Sequence, residues 1–348
     1  MTRKQVSKPK KRIRSKNTLF KSRVKERGKS NFRASRSTSA GPKRRRKNTR
    51  QPADKQLSKN RKQAVKAESK NQPTQAALHS YYREAVYSGG EALVEKWMPD
   101  GMLLPDVTCE DIIQAGLLYY RSQMLQLAGV SEIRDLLWTA IVEKRPLSLV
   151  RLGDGELLSL AYDTVMSPAE VDEVGAFLPY AGVPIPDASV QRSLIDAIKE
   201  ADYIGVPVSR KPAFQMLMFR ICKHYQLPIR EMKLTTSTIN FSLYHTGYLI
   251  PLLYGRRILL IGNKAVSTAQ VLRKKGINVI GTIYPVSNFS DIEKVLASCG
   301  EYEYDIALVA AGVPAVVICQ RIASTYRKVA IDIGHVADEM LKNEAASG

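Results

Sequence analysis

The chain has 348 residues, enough for one or two domains with extensions, and a formal net charge of +20. That charge is localised. Met1 to Lys70 hold 27 Lys and Arg against 3 Asp and Glu, while the remainder holds 26 against 30. The body is therefore slightly acidic, and the global basicity describes only the tail. No apolar stretch reaches the roughly 18 residues of a bilayer span, and no apolar core follows the basic start as it would in a secretory signal. The four cysteines, Cys109, Cys222, Cys299 and Cys319, follow no metal or redox spacing, so free thiols in a reducing cytoplasm are the expectation.

Residues 1–71 read as a disordered basic tail, because they hold too few large apolar residues to offset the entropy of ordering. Its densest run, Lys43-Arg44-Arg45-Arg46-Lys47, suits a polyanion such as nucleic acid, an anionic envelope polymer or an acidic membrane surface. A solvated solubility or localisation tail is the alternative. Residues 72–144 read as a helical segment. Apolar residues recur at helical spacing over Ala76–Val86, Ala92–Trp97, Ile112–Leu127 and Ile133–Val142, with glycine punctuation between them. Tyr81, Tyr82, Tyr119 and Tyr120 are expected to pack between helices rather than to stack bases.

From residue 145 to 342 the pattern alternates strand and helix. Expected strands are Leu147–Leu152, Tyr203–Val208, Ile258–Ile261, Val279–Tyr284, Ile306–Ala310 and Val329–Ile333. Helical stretches separate most of them. Apolar strands of this length between helices predict a Rossmann-like α/β domain, with a mostly parallel sheet covered by helices on both faces.

The most informative stretch is Ser148 to Glu156. A buried strand ends in Gly153-Asp154-Gly155-Glu156. The strand end is the edge where ligands bind in open α/β sheets. Two close carboxylates, Asp154 and Glu156, suit Mg²⁺ or Mn²⁺ carrying a substrate phosphate, or else form a tight turn with two solvated acids. Arg151 precedes them. A second strand end, Gly262-Asn263-Lys264, offers backbone N–H groups and Lys264 to a phosphate, or is only a turn; its spacing fits neither dinucleotide nor P-loop fingerprints. A third, Ala311-Gly312-Val313-Pro314, leaves room at Gly312 for a ligand or a neighbouring backbone. The last, Asp332-Ile333-Gly334-His335, puts an acid and an imidazole beside a glycine. If consecutive βα units deliver strand ends to one edge, Asp332 and His335 share a cleft with Asp154. Thr235 to Asn240 is a hydroxyl-rich loop, expected to cap the following helix rather than bind a sugar.

RLGDGE at Arg151–Glu156, STIN at Ser237–Asn240, AAGVPAVVI from Ala310 and AIDIGH at Ala330–His335 occur together and in order. In these motifs residues 145–342 resemble the bacterial GT-D-type glycosyltransferase family, first catalogued as a domain of unknown function. The resemblance implies transfer of a sugar from a nucleotide-sugar donor, a UDP-sugar in the first instance, with Mn²⁺ or Mg²⁺ tied to the D-x-E pair Asp154 and Glu156. Arg151, Gly153, Gly155, Asn240, Gly262, Lys264, Gly312, Asp332 and His335 are the expected substrate-binding residues. The family's G-P-x-A turn departs here to Gly312-Val313-Pro314-Ala315, with an inserted valine. A protein-linked, glycan or lipid-linked acceptor is implied, and the tail would bring a cytoplasmic enzyme to the cell envelope or spore surface. Two competing readings are a non-catalytic polyanion-binding or envelope-associated structural protein, and another nucleotide-binding enzyme such as a methyltransferase.

Overall fold

The computed structural model describes residues 74–347 apart from Ile185. The basic tail expected over residues 1–71, with its polyanion-binding run, lies outside the described residues. The chain divides into two units, residues 1–105 and 106–348. In the first, helices Gln75–Gly89 and Glu91–Trp97 meet at Gly90, and Tyr87 hydrogen-bonds Glu95 between them. Thr74 caps the first of these helices by accepting from the Ala77 N–H.

The second unit opens with helix Cys109–Tyr119, whose start is closed by reciprocal bonds between Thr108 and Asp111. That is a capping box. The helix expected over 112–127 ends earlier, at Tyr119, in a short 3-10 turn over Arg121–Gln123. Helices Gln75–Gly89, Glu91–Trp97 and Cys109–Tyr119 bury no residue. The tyrosines expected to pack between helices are exposed, Tyr81 by 72% and Tyr119 by 78%. Helical periodicity records a stripe able to be buried, and it does not say what covers the stripe.

Seven strands among the described residues form one sheet: β1 Leu147–Arg151, β2 Tyr203–Val206, β3 Leu234–Thr236, β4 Ile258–Gly262, β5 Val279–Ile283, β6 Ile306–Ala310 and β7 Val329–Asp332. Their order is β3-β2-β1-β7-β6-β4-β5, and every pairing is parallel. This is the expected Rossmann-like architecture. The chain steps outward from β1 to β3 on one side, begins again at β4 on the other, and closes with β7 against β1. The crevice beside β1 and β7 is therefore a topological switch point, where such sheets bind ligands.

Alternation along the strands feeds two cores, one on each face. Val150 and Leu152 of the β1 segment join Leu259, Ile261, Ala307 and Val309 on one face. Leu147 and Leu149 join Ile258, Leu260, Ile306 and Leu308 on the other. The α/β unit also takes in residues ahead of 145. Helix Val130–Val142 buries Ile133, Leu137, Ala140 and Ile141 in the second core. Ala128 is tied to β3, its N–H donating to Leu234 O at 2.7 Å and its carbonyl accepting from Thr235 Oγ1 at 2.8 Å.

β3 lies partly in the stretch expected as a hydroxyl-rich loop. Three residues, two of them threonines, are too short and too polar to read as a core strand, yet they add a parallel edge to β2. The capping expectation fails with it. Thr238 stands at the N-cap of helix Ile239–His245 and makes no side-chain cap bond. Its hydroxyl instead meets the Thr236 hydroxyl at 3.0 Å. No helix among the described residues is long and apolar enough to cross a membrane, and all four cysteines are free thiols.

Candidate active site

The C-terminal ends of β1, β4, β6 and β7 surround a cleft of about 500 Å³. Its lining takes in Arg151, Gly153, Asp154, Gly155 and Glu156 from the β1 turn, and Lys264 from the β4 turn. Gly312 comes from the β6 turn, and Asp332 and His335 from the β7 turn. Residues 181 positions apart in the chain thus meet at one edge, as the parallel topology requires.

Helix Asp154–Ala161 starts at the cleft. Asp154, its first residue, is exposed. One of its oxygens accepts from the Gly155 N–H at 3.0 Å. Glu156, two residues on, is half-buried and its Oε2 accepts from the Gly153 N–H at 2.7 Å. A carboxylate there closes the helix N-terminus and suits the positive end of the helix dipole. The two acids of the D-x-E pair therefore differ: one is open to the cleft, the other is half committed to capping. Burial, and then the nearby Asp332 charge, push the Glu156 carboxyl up to about 7, against the Gly153 N–H and Arg151, which lower it.

Arg151 is held on several sides. Nε donates to Asp332 O at 3.1 Å, Nη1 to Ser237 O at 3.2 Å, and Nη2 to Asp332 Oδ1 at 2.9 Å. It binds β1 to β7 and to the loop after β3. Asp332 is buried, and its desolvation raises the carboxyl above the ordinary aspartate range while Arg151 opposes the rise. Gly334 makes room for this pair: its φ is +43°, and a Cβ there would stand 2.0 Å from Arg151 Nη2. Lys264 is ion-paired with Asp338 from the first turn of the last helix, Val336–Ser347. His335 is exposed at the cleft.

Two expected ligand contacts serve the architecture instead. Gly262 has φ +134°, and a Cβ would stand 2.0 Å from Ala310 O, so the missing side chain lets β4 lie close to β6. It does not line the cleft. Asn240 is buried and donates from Nδ2 to Ile333 O at 2.8 Å, tying its helix to the end of β7; it also lies outside the cleft lining. Gly312 lines the cleft but abuts the Ala181 backbone, and Val313 N–H donates to Ala181 O at 3.0 Å. Val313 is buried and packs over Gly155.

The segment between helices Pro168–Val174 and Ala188–Glu200 supplies a wall that sequence reading missed. Phe177, Tyr180, Ala181 and Gly182 line the cleft, and Tyr180 is 83% exposed. Asn263 and Asp338 were missed as well. Asp338 stands three residues after His335, and that was the only available signal for it.

A Rossmann-like parallel sheet thus carries two acids, Asp154 and Glu156, and two cations, Arg151 and Lys264, around one cleft at its switch point. The family model for the GT-D fold-like domain matches residues 128–340. The chain belongs to this GT-D-like family of glycosyltransferases. No curated protein matches it. Among solved structures it is similar to one of domain of unknown function 1792, at 17% identity and TM-score 0.43, covering 66% of this chain and 85% of that chain. Another is described as a new glycosyltransferase (DUF1792) from Streptococcus sanguinis, at 14% identity and TM-score 0.42, covering 64% and 86%. A third, described as having a distinct glycosyltransferase fold, is 16% identical with TM-score 0.43, covering 65% and 84%.

Proposed function

We propose that the chain moves a sugar from a nucleotide-sugar donor, a UDP-sugar in the first instance, to a hydroxyl-bearing acceptor, with the donor diphosphate held in the cleft at β1 and β7. The observation that carries this reading is the exposed Asp154 carboxylate at the switch point, beside Glu156 and two paired cations. Hard oxygen donors fit Mn²⁺ or Mg²⁺. Among the described residues no cluster of three or more His, Cys, Asp or Glu is placed to hold an ion. One or two carboxylates with substrate phosphates and water completing the shell is the usual arrangement for such ions. Asp154 and the unbonded oxygen of Glu156 would supply the protein's share. A bound divalent ion would neutralise charge on the departing diphosphate.

The chain's own groups do the remainder. Lys264 would turn from Asp338 toward a phosphate. Arg151 stays with Asp332 and keeps the β1 and β7 ends together, so its part is to position. His335, exposed at the cleft, would donate a hydrogen bond to the donor. Glu156 must be ionised to bind a cation, so donor binding should strengthen as pH rises through about 7.

The test is a thermal-shift and hydrolysis screen of nucleotide-sugars with and without Mn²⁺. Stabilisation and sugar release that need both the ion and one donor support the reading. Stabilisation by S-adenosylmethionine without metal, and by no nucleotide-sugar, would replace it with the methyltransferase alternative. The basic run at residues 43–47 we propose as a polyanion contact that brings the enzyme to an anionic surface.

A further inference from the structure

Asn263 and Lys264 are neighbours in the turn after β4 and both line the cleft, yet their side chains diverge. Lys264 reaches the first turn of the last helix, where it pairs with Asp338. Asn263 goes the other way, to the turn after the edge strand β5, where its Oδ1 accepts from the Val286 N–H at 2.9 Å. The wall over the cleft runs between the same two ends. Phe177 lies 3.6 Å from where a Cβ on Gly155 would stand, in the acidic turn, and the Ser287 carbonyl lies 3.6 Å from the equivalent position on Gly182. The cleft therefore has a charged end, with Asp154, Glu156 and Asp332, and an uncharged end at Asn263 and Val286.

We propose that Asn263 determines which base the donor nucleotide carries, and that it selects a base with a ring carbonyl, uracil or guanine, over cytosine or adenine. The inference rests on the nucleotide-sugar reading of the cleft. Its logic is a count of donors. A backbone N–H can only donate, so the amide atom facing Val286 is the oxygen. The other end of the amide is then Nδ2, which carries two donors and no acceptor. Nδ2 makes no hydrogen bond among the described residues, and Asn263 is exposed at the cleft.

A donor held in this way meets a carbonyl oxygen well and an amino group badly, since the second pairing leaves N–H facing N–H. Uracil and guanine present a carbonyl on the edge where cytosine and adenine present an amino group. A site built to hydrogen-bond one group rejects the analogue that lacks it, because its own polar atom is then left unpaired. The surroundings suit a flat apolar ring. Val286 and Val313 are buried at the cleft lining. Tyr180, two residues before Gly182 on the wall, lines the cleft with its ring 83% exposed, so packing within the fold does not account for it. An aromatic face of this kind stacks any base and leaves the choice among bases to Asn263.

Calorimetric titration of the full chain with UDP, CDP, GDP and ADP, each with Mn²⁺, tests this. UDP should bind about tenfold more tightly than CDP if the base is uracil, and GDP about tenfold more tightly than ADP if it is guanine. Asn263→Asp keeps an oxygen for the Val286 N–H and replaces the donor with an acceptor. It should erase or invert that ratio while the melting temperature holds. Tyr180→Ala should weaken both members of the preferred pair by about tenfold and leave their ratio intact. Equal binding within both pairs overturns the proposal. So does a ratio unchanged in Asn263→Asp, including the case where affinity falls for every nucleotide alike, which would make Asn263 a support for the β5 turn. If none of the four binds to the wild-type chain, the nucleotide-sugar reading falls as well, whereas binding without discrimination sinks only the role of Asn263.

Discussion

The turn after β1, Gly153-Asp154-Gly155-Glu156, and the turn after β4, Gly262-Asn263-Lys264, both follow an apolar strand, both contain glycine and both lead into a helix. Their glycines answer different demands. Gly153 has ordinary extended φ of −98°, and a Cβ there would meet only the end of the Glu156 side chain, at 3.2 Å. Gly262 is pinned by a neighbouring strand, with φ +134° and a backbone oxygen 2.0 Å from where a Cβ would sit. Both turns reach the cleft, through Asp154 and Lys264, but only the second glycine closes the sheet. A glycine after a strand therefore does not announce a ligand until its neighbour is known.

The comparison is broken most directly by alanine at each glycine. Gly262→Ala should cost on the order of 4 kcal/mol or prevent folding, since strain and a backbone clash combine. Calorimetry should show a fall in melting temperature of more than about 8 °C. Gly153→Ala should stay within about 1 kcal/mol of the parent. Equal melting of the two variants would show that β4 and β6 do not need the close approach.

Asp154→Asn is next. Metal-dependent transfer should drop by about 100-fold or more, near 2.7 kcal/mol in barrier, while the melting temperature holds because the side chain is exposed. Full activity in this variant would remove Asp154 from the donor site.

Glu156→Gln sharpens the contrast within the pair. In the native protein the folded carboxyl holds its proton to about pH 7, against an ordinary value of 4.5. The folded state therefore binds more protons between these pH values, and stability falls as pH rises from 4.5 toward 7. The loss should be on the order of 1 to 3 kcal/mol. Glutamine keeps an oxygen for the Gly153 N–H and removes the charge, so urea midpoints should lose that slope. An unchanged slope in the variant would assign the titration elsewhere.

Lys264→Ala should have the smallest effect on stability. Its pair with Asp338 is half exposed on the lysine side, 48%, and such pairs contribute about 0 to 1 kcal/mol. Donor affinity, measured by titration with Mn²⁺ present, should fall although melting does not. Melting loss without loss of affinity would make the pair structural.

Much of this was legible from the residues. Apolar runs of four to six residues between helical stretches are enough to specify six of the strands, because a strand buried on both faces must be apolar throughout. Parallel connection then forces their C-terminal ends to one edge, and this places Asp332 and His335 beside Asp154 without further information. β3 escaped because its threonines satisfy themselves through β2 and Ala128, a long-range arrangement with no local signal. The same holds for Val130–Val142, whose helical period was plain and whose place in the α/β core was not.

The sequence by itself determined six of the seven strands, their direction and the acids at the C-terminal edge, since periodicity and chain connectivity are local properties. Tertiary structure alone decided how those residues are used. Arg151 holds Asp332 because β1 pairs with β7. Gly262 and Asn240 spend themselves on neighbouring backbone, and Phe177, Tyr180, Ala181 and Gly182 arrive to line the cleft. A side chain's partners come from segments far along the chain, and no spacing within one segment encodes which of them will arrive.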